Sequence, residues 1–308
     1  MQVYRNTDSL PDFRKAVLTI GTFDGVHTGH QQVITQMKKE AAEIQGESVI
    51  ITFDPHPRTV LNADSGIRLI NTTEEKKELL SDKGIDDLVI MPFTEKFARL
   101  TADEYISQFL VRYFHPHTII IGYDHHFGKG RSGNYQFLKN LSETYHYQLK
   151  EIPAHVLDSI SVSSTRIREA ISAGDMDTAN ILLGYTFFFS GMVVEGNKLG
   201  RTIGYPTANL HVTDAYKLLP ADGVYAVDVI VDDEPENRLK AMMNIGYRPT
   251  VDGTKKVIEV NIFNFNRTIY GKNLRVFVKR FLRGEQRFSG LEALKTQLGE
   301  DRQAAELY

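Results

Sequence analysis

The 308-residue sequence contains no cysteine, which excludes disulfide bonds, thiolate zinc sites and a cysteine nucleophile. No apolar run approaches 18 residues and the N-terminal residues lack an apolar stretch, so we expect neither a membrane-spanning helix nor a signal peptide. Neither sign of charge dominates, because 36 Lys and Arg residues are balanced by 39 Asp and Glu residues, a net charge of −3. This balance gives no basic footprint for a nucleic acid or an anionic membrane. Since neither a signal peptide nor a membrane-spanning helix is expected, we expect a soluble, cytoplasmic protein.

Up to about Gly184 the sequence alternates short β-branched runs with stretches of helical periodicity. Strands are predicted at residues 17–20, 49–53, 87–91 and 118–122. Helices are predicted near residues 31–44, 74–83, 102–113, 135–145 and 163–173, and a further helix ends at Gly184. This alternation predicts an α/β fold with a doubly wound, Rossmann-like and mostly parallel sheet, in which ligands bind beyond the carboxyl ends of the strands.

After Phe187 the pattern changes to short alternating runs separated by turn residues. Strands are predicted at residues 187–194, 224–231, 241–245, 257–263 and 274–281, and a last helix at residues 290–298. We expect an all-β unit here, a small antiparallel β-barrel with a terminal helix. The sequence therefore predicts two domains, residues 1–184 and residues 185–308.

The most informative segment is residues 21–30, which read Gly-Thr-Phe-Asp-Gly-Val-His-Thr-Gly-His between a predicted strand and a predicted helix. The free backbone N–H groups of a helix's first turn attract anions, and Gly25 and Gly29 let a ligand approach the main chain. His27 and His30 can donate hydrogen bonds to phosphate oxygens. The segment predicts a triphosphate held at a helix N-terminus, although two histidines three residues apart can also be unrelated surface residues or half of a metal site.

Three further segments of the first domain carry polar groups at the end of a strand or the start of a helix. They are Phe-Asp-Pro-His-Pro at residues 53–57, Gly-Tyr-Asp-His-His-Phe-Gly-Lys-Gly-Arg-Ser-Gly at residues 122–133, and Ser-Ser-Thr-Arg-Ile-Arg at residues 163–168. The glycines at 128, 130 and 133 match the dinucleotide fingerprint, but they begin about six residues after the strand ends. A basic lid over phosphates is the better interpretation. A rigid strand exit and a capped helix remain the structural alternatives for the other two segments.

Together, these four segments resemble the nucleotidyltransferase superfamily and, more closely, the bacterial bifunctional riboflavin kinase/FAD synthetase family, although His125 stands where that family commonly has an aromatic residue. The resemblance implies FMN adenylyltransferase activity in residues 1–184. It implies that ATP would be bound by Gly21, Thr22, Phe23, Asp24, His27, Gly29, His30, Ser164, Thr165 and Arg166, with the two histidines catalytic. It implies that the flavin would be bound by Asp54, His56, Asp124, Phe127 and Arg131.

The second domain contains its own ordered set of segments. They are Gly-Arg-Thr-Ile-Gly-Tyr-Pro-Thr-Ala-Asn at residues 200–209, Asp-Gly-Val-Tyr at residues 222–225, Glu259 within an apolar run, and Phe-Leu-Arg-Gly-Glu-Gln-Arg-Phe at residues 281–288. The Thr207 hydroxyl and the Asn209 amide oxygen are hard ligands suited to Mg²⁺. A carboxylate within a barrel strand either faces water or acts as a base, and the pattern around Glu259 leaves both open.

These segments resemble the riboflavin kinase part of the same family. The resemblance implies that Glu259 would be the base for riboflavin, with Mg²⁺ held by Thr207 and Asn209. It implies that ATP would contact Gly200, Arg201, Gly204, Pro206, Thr207 and Asn209, and that the flavin would contact Asp222, Gly223, Tyr225, Arg283 and Phe288. Riboflavin, FMN and ATP are then the expected partners, with FMN and FAD as products.

Two alternatives stay open. Because Asn261, Asn264 and Asn266 stand where the family often has His, Asp and Asp, the barrel could bind flavin without phosphorylating it. A nucleic-acid-binding module on a nucleotidyltransferase-like fold is the other alternative, and the slight acidity argues against it.

Overall fold

A computed structural model describes residues 1–62, 66–122, 125–152, 162–196, 199–232, 234, 236–250 and 253–308. Its residue contacts form two compact units. The first comprises Met1–Ile67 and Asn71–Ser163, and the second comprises Arg68–Ile70 and Ser164–Tyr308. The sequence-predicted boundary between residues 184 and 185 stays a prediction, since this division by contacts falls between Ser163 and Ser164 instead.

The described residues of the first unit form strands interleaved with helices. The strands are β1 (Gln2–Arg5), β2 (Val17–Ile20), β3 (Ser48–Phe53), β4 (Asp87–Met91), β5 (Thr118–Gly122) and β6 (Gln148–Ile152). The helices are α1 (Thr28–Ile44), α2 (Pro57–Leu61), α3 (Thr73–Asp82), α4 (Glu95–Ala98), α5 (Ala102–Glu104), α6 (Arg112–Phe114) and α7 (Tyr135–Ser142). A π-helical segment, Tyr105–Val111, joins α5 to α6, and Lys129–Arg131 form a 3₁₀ turn.

The strands pair in the order β1-β4-β3-β2-β5-β6, and every neighbouring pair is parallel. A parallel sheet must be covered on both faces, and here two separate apolar clusters do this. Leu18 and Ile20 of β2 pack with one cluster, and Val17 packs with the other. One face is covered by residues of α1 and α3 and the other by residues of the 102–114 helical stretch and α7. This is the doubly wound sheet that the sequence predicts.

The second unit begins with two helices, α8 (Ser164–Ala173) and α9 (Met176–Leu183). The strands that follow are β7 (Phe188–Val194), β8 (Ala208–His211), β9 (Gly223–Val231), β10 (Arg238–Thr250), β11 (Gly253–Ile262) and β12 (Asn273–Arg283). They close into an antiparallel barrel in the order β10-β11-β8-β7-β12-β9. A short helix, α10 (Leu199–Thr202), precedes β8, and the terminal helix α11 (Leu291–Glu306) is longer than the predicted 290–298.

Arg68–Ile70 are held to the second unit by backbone and side-chain bonds. The Leu69 N–H donates to the Tyr216 carbonyl at 2.7 Å, and the Leu218 N–H donates to the Leu69 carbonyl at 2.8 Å. Lys217, which is buried, donates through Nζ to the carbonyls of Ile70 at 2.6 Å and Phe188 at 2.8 Å. These bonds offset the cost of burying the ammonium group and tie residue 70 to the start of β7.

Candidate active sites

Three sequence-predicted segments lie at the carboxyl ends of three adjacent parallel strands. Gly21 follows β2, Asp54 follows β3, and Gly122 ends β5, and the strand order places β2 between β3 and β5. The chain leaves β2 in one direction toward β3 and β4 and later returns on the other side through β5 and β6. Such a reversal creates a crevice at the carboxyl ends of the strands, which is where open α/β sheets bind ligands.

The loop from Gly21 to His27 has an unusual backbone. The φ angles of Phe23, Gly25 and Val26 are +47°, +91° and +37°. Glycine adopts such angles freely, but an aromatic or β-branched residue does so only when its surroundings hold it there. Phe23 and Val26 are both buried, 3% and 0% exposed, and their packing supplies that restraint. Backbone strain concentrated in one loop at the end of a strand favours a binding role for the loop.

The His27 side chain caps α1. Its Nδ1 accepts a hydrogen bond from the His30 backbone N–H at 3.4 Å. Because a lone pair of Nδ1 accepts this bond, the neutral ring carries its proton on Nε2. Gly29 leaves room for this ring, since a Cβ at residue 29 would make a tight contact of 3.3 Å with Nδ1.

The His30 ring stacks on the His27 ring, with their centroids 3.7 Å apart and an interplanar angle of 15°. Burial, then the charges of His27 and Lys76, hold the pKa of His30 well below its usual value of 6.5. Among the described residues, the buried Nδ1 of His30 has no hydrogen-bond partner. A buried polar atom without a partner is costly, so this atom indicates a place for a ligand.

The other predicted residues near these strand ends bond the segment that leads into α3 or cap a helix. Asp24 is buried, and its Oδ1 accepts the Asn71 N–H at 3.2 Å. Asp54 accepts the Thr73 hydroxyl at 3.0 Å, beside the start of α3. His56 is the N-cap of α2. These contacts position the segments, and the binding roles implied for Asp24, Asp54 and His56 stay predictions.

The basic segment after β5 forms a tight turn. Phe127 and Gly133 exchange backbone hydrogen bonds at 3.1 and 2.9 Å, and a Cβ at Gly133 would lie 2.3 Å from the Phe127 ring. Phe127 is buried against Tyr105, whereas Lys129 and Arg131 are exposed. Asp124 lies outside the described residues. Ser164, Thr165 and Arg166 begin α8 in the second unit, so their place in an ATP site of the first unit stays a prediction.

In the barrel, strand register places five residues in one row that crosses five strands. Asn209 pairs with Glu259, Glu259 with Asn244, Asn244 with Val224, and Val224 with Arg283. Neighbouring strands lie about 4.8 Å apart, so residues adjacent in this row are close in space. The row brings a predicted Mg²⁺ ligand next to the predicted base. It also adds Asn244, which motif reasoning missed.

Glu259 lies on the strand face opposite to Ile258, Val260 and Ile262, which are all buried. Its own side chain is 29% exposed, so it is reachable from outside without being free in water. Arg248 of β10 donates to Glu259 at 3.1 Å and to Glu285 at 2.9 Å. The Glu285 carboxyl packs against Gly246, where a Cβ would lie 1.9 Å from Oε1. Arg248 therefore fixes the orientation of the Glu259 carboxylate.

The segment at residues 200–209 is shaped by close backbone contacts. The Tyr205 N–H donates to the Gly200 carbonyl at 2.8 Å, and the Pro206 carbonyl accepts from Asn261 at 2.7 Å. The Asn209 amide packs on Gly196, where a Cβ would lie 2.2 Å from Nδ2. Thr207 and Asn209 flank Ala208 and so project to one side of the extended chain. Arg201 and Gly204 are exposed, and the φ of Gly204 is +87°.

Arg283 is fixed by the terminal helix. Its guanidinium donates to both carboxylate oxygens of Asp301, from Nε at 2.8 Å and from the second terminal nitrogen at 2.6 Å. Asp301 is only 3% exposed, and the guanidinium carbon of Arg283 lies 5.7 Å from the centre of the Phe288 ring. This two-bond ion pair sets the direction of the Arg283 plane.

The remaining flavin candidates of the barrel differ in accessibility. Asp222 is partly exposed and forms an ion pair with Lys256 at 3.0 Å. Gly223 has a φ of +150°, and a Cβ there would lie 2.5 Å from the Phe281 ring, so only glycine fits. Tyr225 is fully buried, and its hydroxyl donates to the Ala221 carbonyl at 2.7 Å. As placed, Tyr225 supports the site and offers no surface to a ligand.

Two family models match the chain, one in each half. The model for FAD synthetase matches residues 10–166 and the model for riboflavin kinase matches residues 183–308. The bifunctional riboflavin kinase/FMN adenylyltransferase of Escherichia coli (strain K12) is 34% identical over 286 residues, 92% of this chain and 90% of that protein. The chain belongs to this bifunctional family.

A second curated relative supports the same assignment, and one solved structure is similar over the whole chain. The bifunctional enzyme of Listeria monocytogenes is 37% identical over 299 residues, 96% of this chain and 93% of that protein. A crystal structure described as a macrolide-efflux protein from Streptococcus pneumoniae has a TM-score of 0.90 and 32% identity, with 99% of both chains covered. Family membership confirms the resemblance and the fold class predicted from the sequence. In the part of the chain that the structure describes, no helix is long and apolar enough to cross a membrane.

Proposed function

We propose that this chain makes FAD from riboflavin in two ATP-dependent steps, one in each unit. The barrel phosphorylates riboflavin to FMN with ATP. The α/β unit transfers an adenylyl group from a second ATP to FMN, which yields FAD and pyrophosphate. The observation that carries the proposal is that the two family models match the chain in sequence order, each over residues that belong largely to one unit.

The kinase step is assigned to the row of residues around Glu259. Glu259 takes the proton of the riboflavin 5′-hydroxyl, which then attacks the γ-phosphorus of ATP while ADP leaves. Arg248 holds the Glu259 carboxylate in place at 3.1 Å, which is the positioning that an in-line transfer needs. The flavin is bordered by Arg283, which Asp301 holds in place, and by the partly exposed Asp222. Gly200, Arg201, Gly204 and Pro206 line the approach of ATP.

Thr207 and Asn209 are suited to hold Mg²⁺. Their hydroxyl and amide oxygens project to one side, and Glu259 pairs directly with Asn209, so three oxygen-bearing side chains lie together. Such oxygen donors fit a hard cation that keeps some of its bonds for phosphate and water. When bound, Mg²⁺ neutralises charge on the phosphates of ATP.

The adenylyl step is assigned to the loop Gly21–His27 and the start of α1. The phosphate of FMN attacks the α-phosphorus of ATP, and pyrophosphate leaves with the electron pair of the broken P–O bond. An FMN phosphate is already a nucleophile near neutral pH, so no general base is needed. The His27 ring, at the start of α1, and the buried Nδ1 of His30 interact with the charge that gathers on the triphosphate. Asp54, His56, Phe127 and Arg131 border the flavin in this proposal, as does Asp124.

One assay tests both halves of the proposal. The protein is incubated with riboflavin, Mg²⁺ and ATP, and the flavins are separated over time; FMN and then FAD are expected. His30→Ala should accumulate FMN and make no FAD, and Glu259→Gln should convert added FMN to FAD but leave riboflavin unchanged. FMN formation by Glu259→Gln at the wild-type rate would remove Glu259 as the base. If the wild type converts added FMN to FAD but leaves riboflavin unchanged, the barrel is a flavin-binding domain only.

Riboflavin, FMN and ATP are the proposed partners, and no nucleic acid or membrane is part of the proposal. We also infer a cytoplasmic location, since ATP and the flavin-dependent enzymes that use FMN and FAD are found there. Fractionation of cells followed by the FAD-forming assay would test the location.

A further inference from the structure

Lys76 is a buried cation beneath the adenylyl-transfer loop. It lies on α3, is 7% exposed, and its Nζ donates to the Thr22 carbonyl at 2.7 Å. The same ammonium lies 3.4 Å from the Thr52 hydroxyl, and that hydroxyl donates to the Thr22 carbonyl at 3.0 Å. Two donors from two different elements therefore converge on one backbone oxygen in the middle of the loop.

The first turn of α3 fixes the position of Lys76. Thr72 and Glu75 form a capping box, in which each side chain bonds the other residue's backbone N–H, at 3.2 and 2.9 Å. The box fixes the first turn, so the residue that follows it has a fixed direction. Lys76 and Leu80 lie one turn apart on the buried side of the helix. A lysine on the buried face of a helix is rare unless its charge is paired.

The charges around Lys76 belong to the candidate site. Burial lowers the pKa of Lys76, while the carboxylates of Asp24 and Asp54 oppose this shift. The Lys76 charge is also one of the causes that lower the pKa of His30 on α1. The groups that interact electrostatically with Lys76 thus come from the loop after β2, from the segment after β3, and from α1.

We propose that Lys76 is a positioning residue of the adenylyl-transfer site. Its ammonium holds the Thr22 carbonyl and thereby fixes the strained backbone of residues 21–26, whose N–H groups and glycines receive the ATP triphosphate. Lys76 itself does not reach the substrate, because it is buried behind the loop. This inference rests on the proposed adenylyl transfer, and it adds a residue that none of the sequence motifs contains.

Because the loop strain must be maintained by its surroundings, the loss of one of two donors lets Thr22 and its neighbours relax. A relaxed loop binds ATP in the wrong geometry, and a misplacement of about 1 Å can cost on the order of a hundredfold in rate. The loss of the Lys76 charge also removes one of the causes that keep His30 neutral. Both effects change the ATP site alone, and the kinase site has its own ATP.

The test compares Lys76→Met with Lys77→Met in the full-length protein. Lys77 is the matched control, since it is the next residue of α3 and pairs with Glu74 at 2.5 Å on the surface. FAD formation is measured from FMN and ATP, and FMN formation is measured from riboflavin and ATP. We expect Lys76→Met to raise the KM for ATP in FAD formation about tenfold or more, with the KM for ATP in riboflavin phosphorylation unchanged. Lys77→Met should change neither value.

A second readout separates positioning from folding. In ¹H–¹⁵N spectra of the imidazole rings, the pKa of His30 should rise in Lys76→Met toward its usual value. If Lys76 only stabilised the fold, less enzyme would be active, and kcat would fall with the KM for ATP unchanged. That result, or an unmoved His30 titration with an unchanged KM, overturns the proposal. Absence of FAD from the wild type would instead overturn the proposed adenylyl transfer.

If Lys76→Met does not fold, Thr52→Val tests whether a fixed Thr22 carbonyl is needed for ATP binding. Thr52 is 1% exposed, and valine keeps its shape while it removes the hydroxyl that bonds the Thr22 carbonyl. We expect the KM for ATP in FAD formation to rise about threefold in this variant, a loss near 0.7 kcal/mol at 1.4 kcal/mol per tenfold change. An unchanged KM would show that the Thr22 carbonyl needs no fixed position and would overturn the proposal.

Discussion

At the scale of single residues, His30 combines a partly buried ring, a buried Nδ1 and a depressed pKa. Because the pKa of the folded state lies well below 6.5, His30 is neutral at pH 7 and stays neutral as the pH falls through 6.5. A neutral imidazole both donates and accepts hydrogen bonds, which lets it respond to a phosphate in either protonation state. It cannot serve as a fixed positive charge for ATP in the free protein.

The depressed pKa makes stability depend on pH in a definite direction. In the unfolded chain His30 binds a proton near pH 6.5, and in the folded chain it does so only at a much lower pH. Stability from this group is therefore complete above pH 6.5 and is lost as the pH falls below it toward the folded-state pKa. We expect the free energy of unfolding, measured in urea, to fall more steeply below pH 6.5 in the wild type than in His30→Asn. Parallel pH dependence in the two proteins would contradict the assignment.

Motif reasoning predicted site residues whose chemistry shows in the sequence, such as the histidine pair, Glu259 and Asn209, and these roles stay predictions. It did not single out Lys76, Arg248 and Asp301, whose proposed roles arise only from contacts between distant parts of the chain. For Lys76 the sequence does contain a signal, since it lies four residues before Leu80 and therefore on the same side of α3, which is buried. The sequence gives no comparable signal for Asp301, since a carboxylate on a terminal helix is ordinarily exposed.

At the scale of secondary structure, buried strands were predictable and polar strands were not. β2, β4 and β5 coincide with the predicted runs, because strands covered on both faces are continuous apolar segments. β1 and β6 are the two edges of the sheet, and most of their residues are exposed or only partly buried. Their polar residues hide the strand pattern. β8 was missed as well, since it has only four residues, one of them fully buried.

The Asp301–Arg283 pair joins the terminal helix α11 to the barrel, beside the packing of Leu298 and Ala305 against Met242 and Phe263. Within α11, Gln297 donates to Asp301 at 3.2 Å. Removal of one partner from a buried ion pair leaves the other charge uncompensated, which costs about 3 kcal/mol or more. We expect Asp301→Ala to lower the free energy of unfolding of the barrel by about 3 kcal/mol. Glu300→Ala, at the exposed neighbouring position, should leave it within about 0.5 kcal/mol of the wild type.

The same variant tests the link between the helix and the flavin. If Asp301 orients Arg283 for riboflavin, Asp301→Ala should also weaken riboflavin binding, measured by quenching of flavin fluorescence below the unfolding transition. Destabilisation with unchanged riboflavin affinity would limit Asp301 to a structural role. An unchanged free energy of unfolding would mean that water solvates the Arg283 guanidinium in the variant about as well as Asp301 binds it in the wild type.

At the scale of the whole molecule, the sequence predicted the order and class of the two folds, because the change from strand–helix alternation to short alternating strands is large and abrupt. The boundary between the two units is harder to predict. A helix near the boundary has the same hydrophobic periodicity whether it packs on the first unit or on the second. By contacts, α8 and α9 group with the barrel. Asn180 of α9 donates to the carbonyls of Val278 and Lys279 at 3.1 and 3.3 Å and accepts the Phe187 N–H at 2.7 Å.

These bonds give opposite expectations for two fragments. A fragment of residues 185–308 follows the boundary predicted from the sequence, but it lacks Asn180 and the apolar side chains of Met176, Leu182 and Leu183, which are at most 1% exposed. A fragment of residues 164–308 keeps them. We expect the longer fragment to be more stable in urea by at least about 3 kcal/mol, equivalent to one or two buried apolar side chains, and to phosphorylate riboflavin. Equal stability and equal kinase activity of the two fragments would instead support the boundary between residues 184 and 185, and would mean that α8 and α9 pack on the barrel without contributing to its folding.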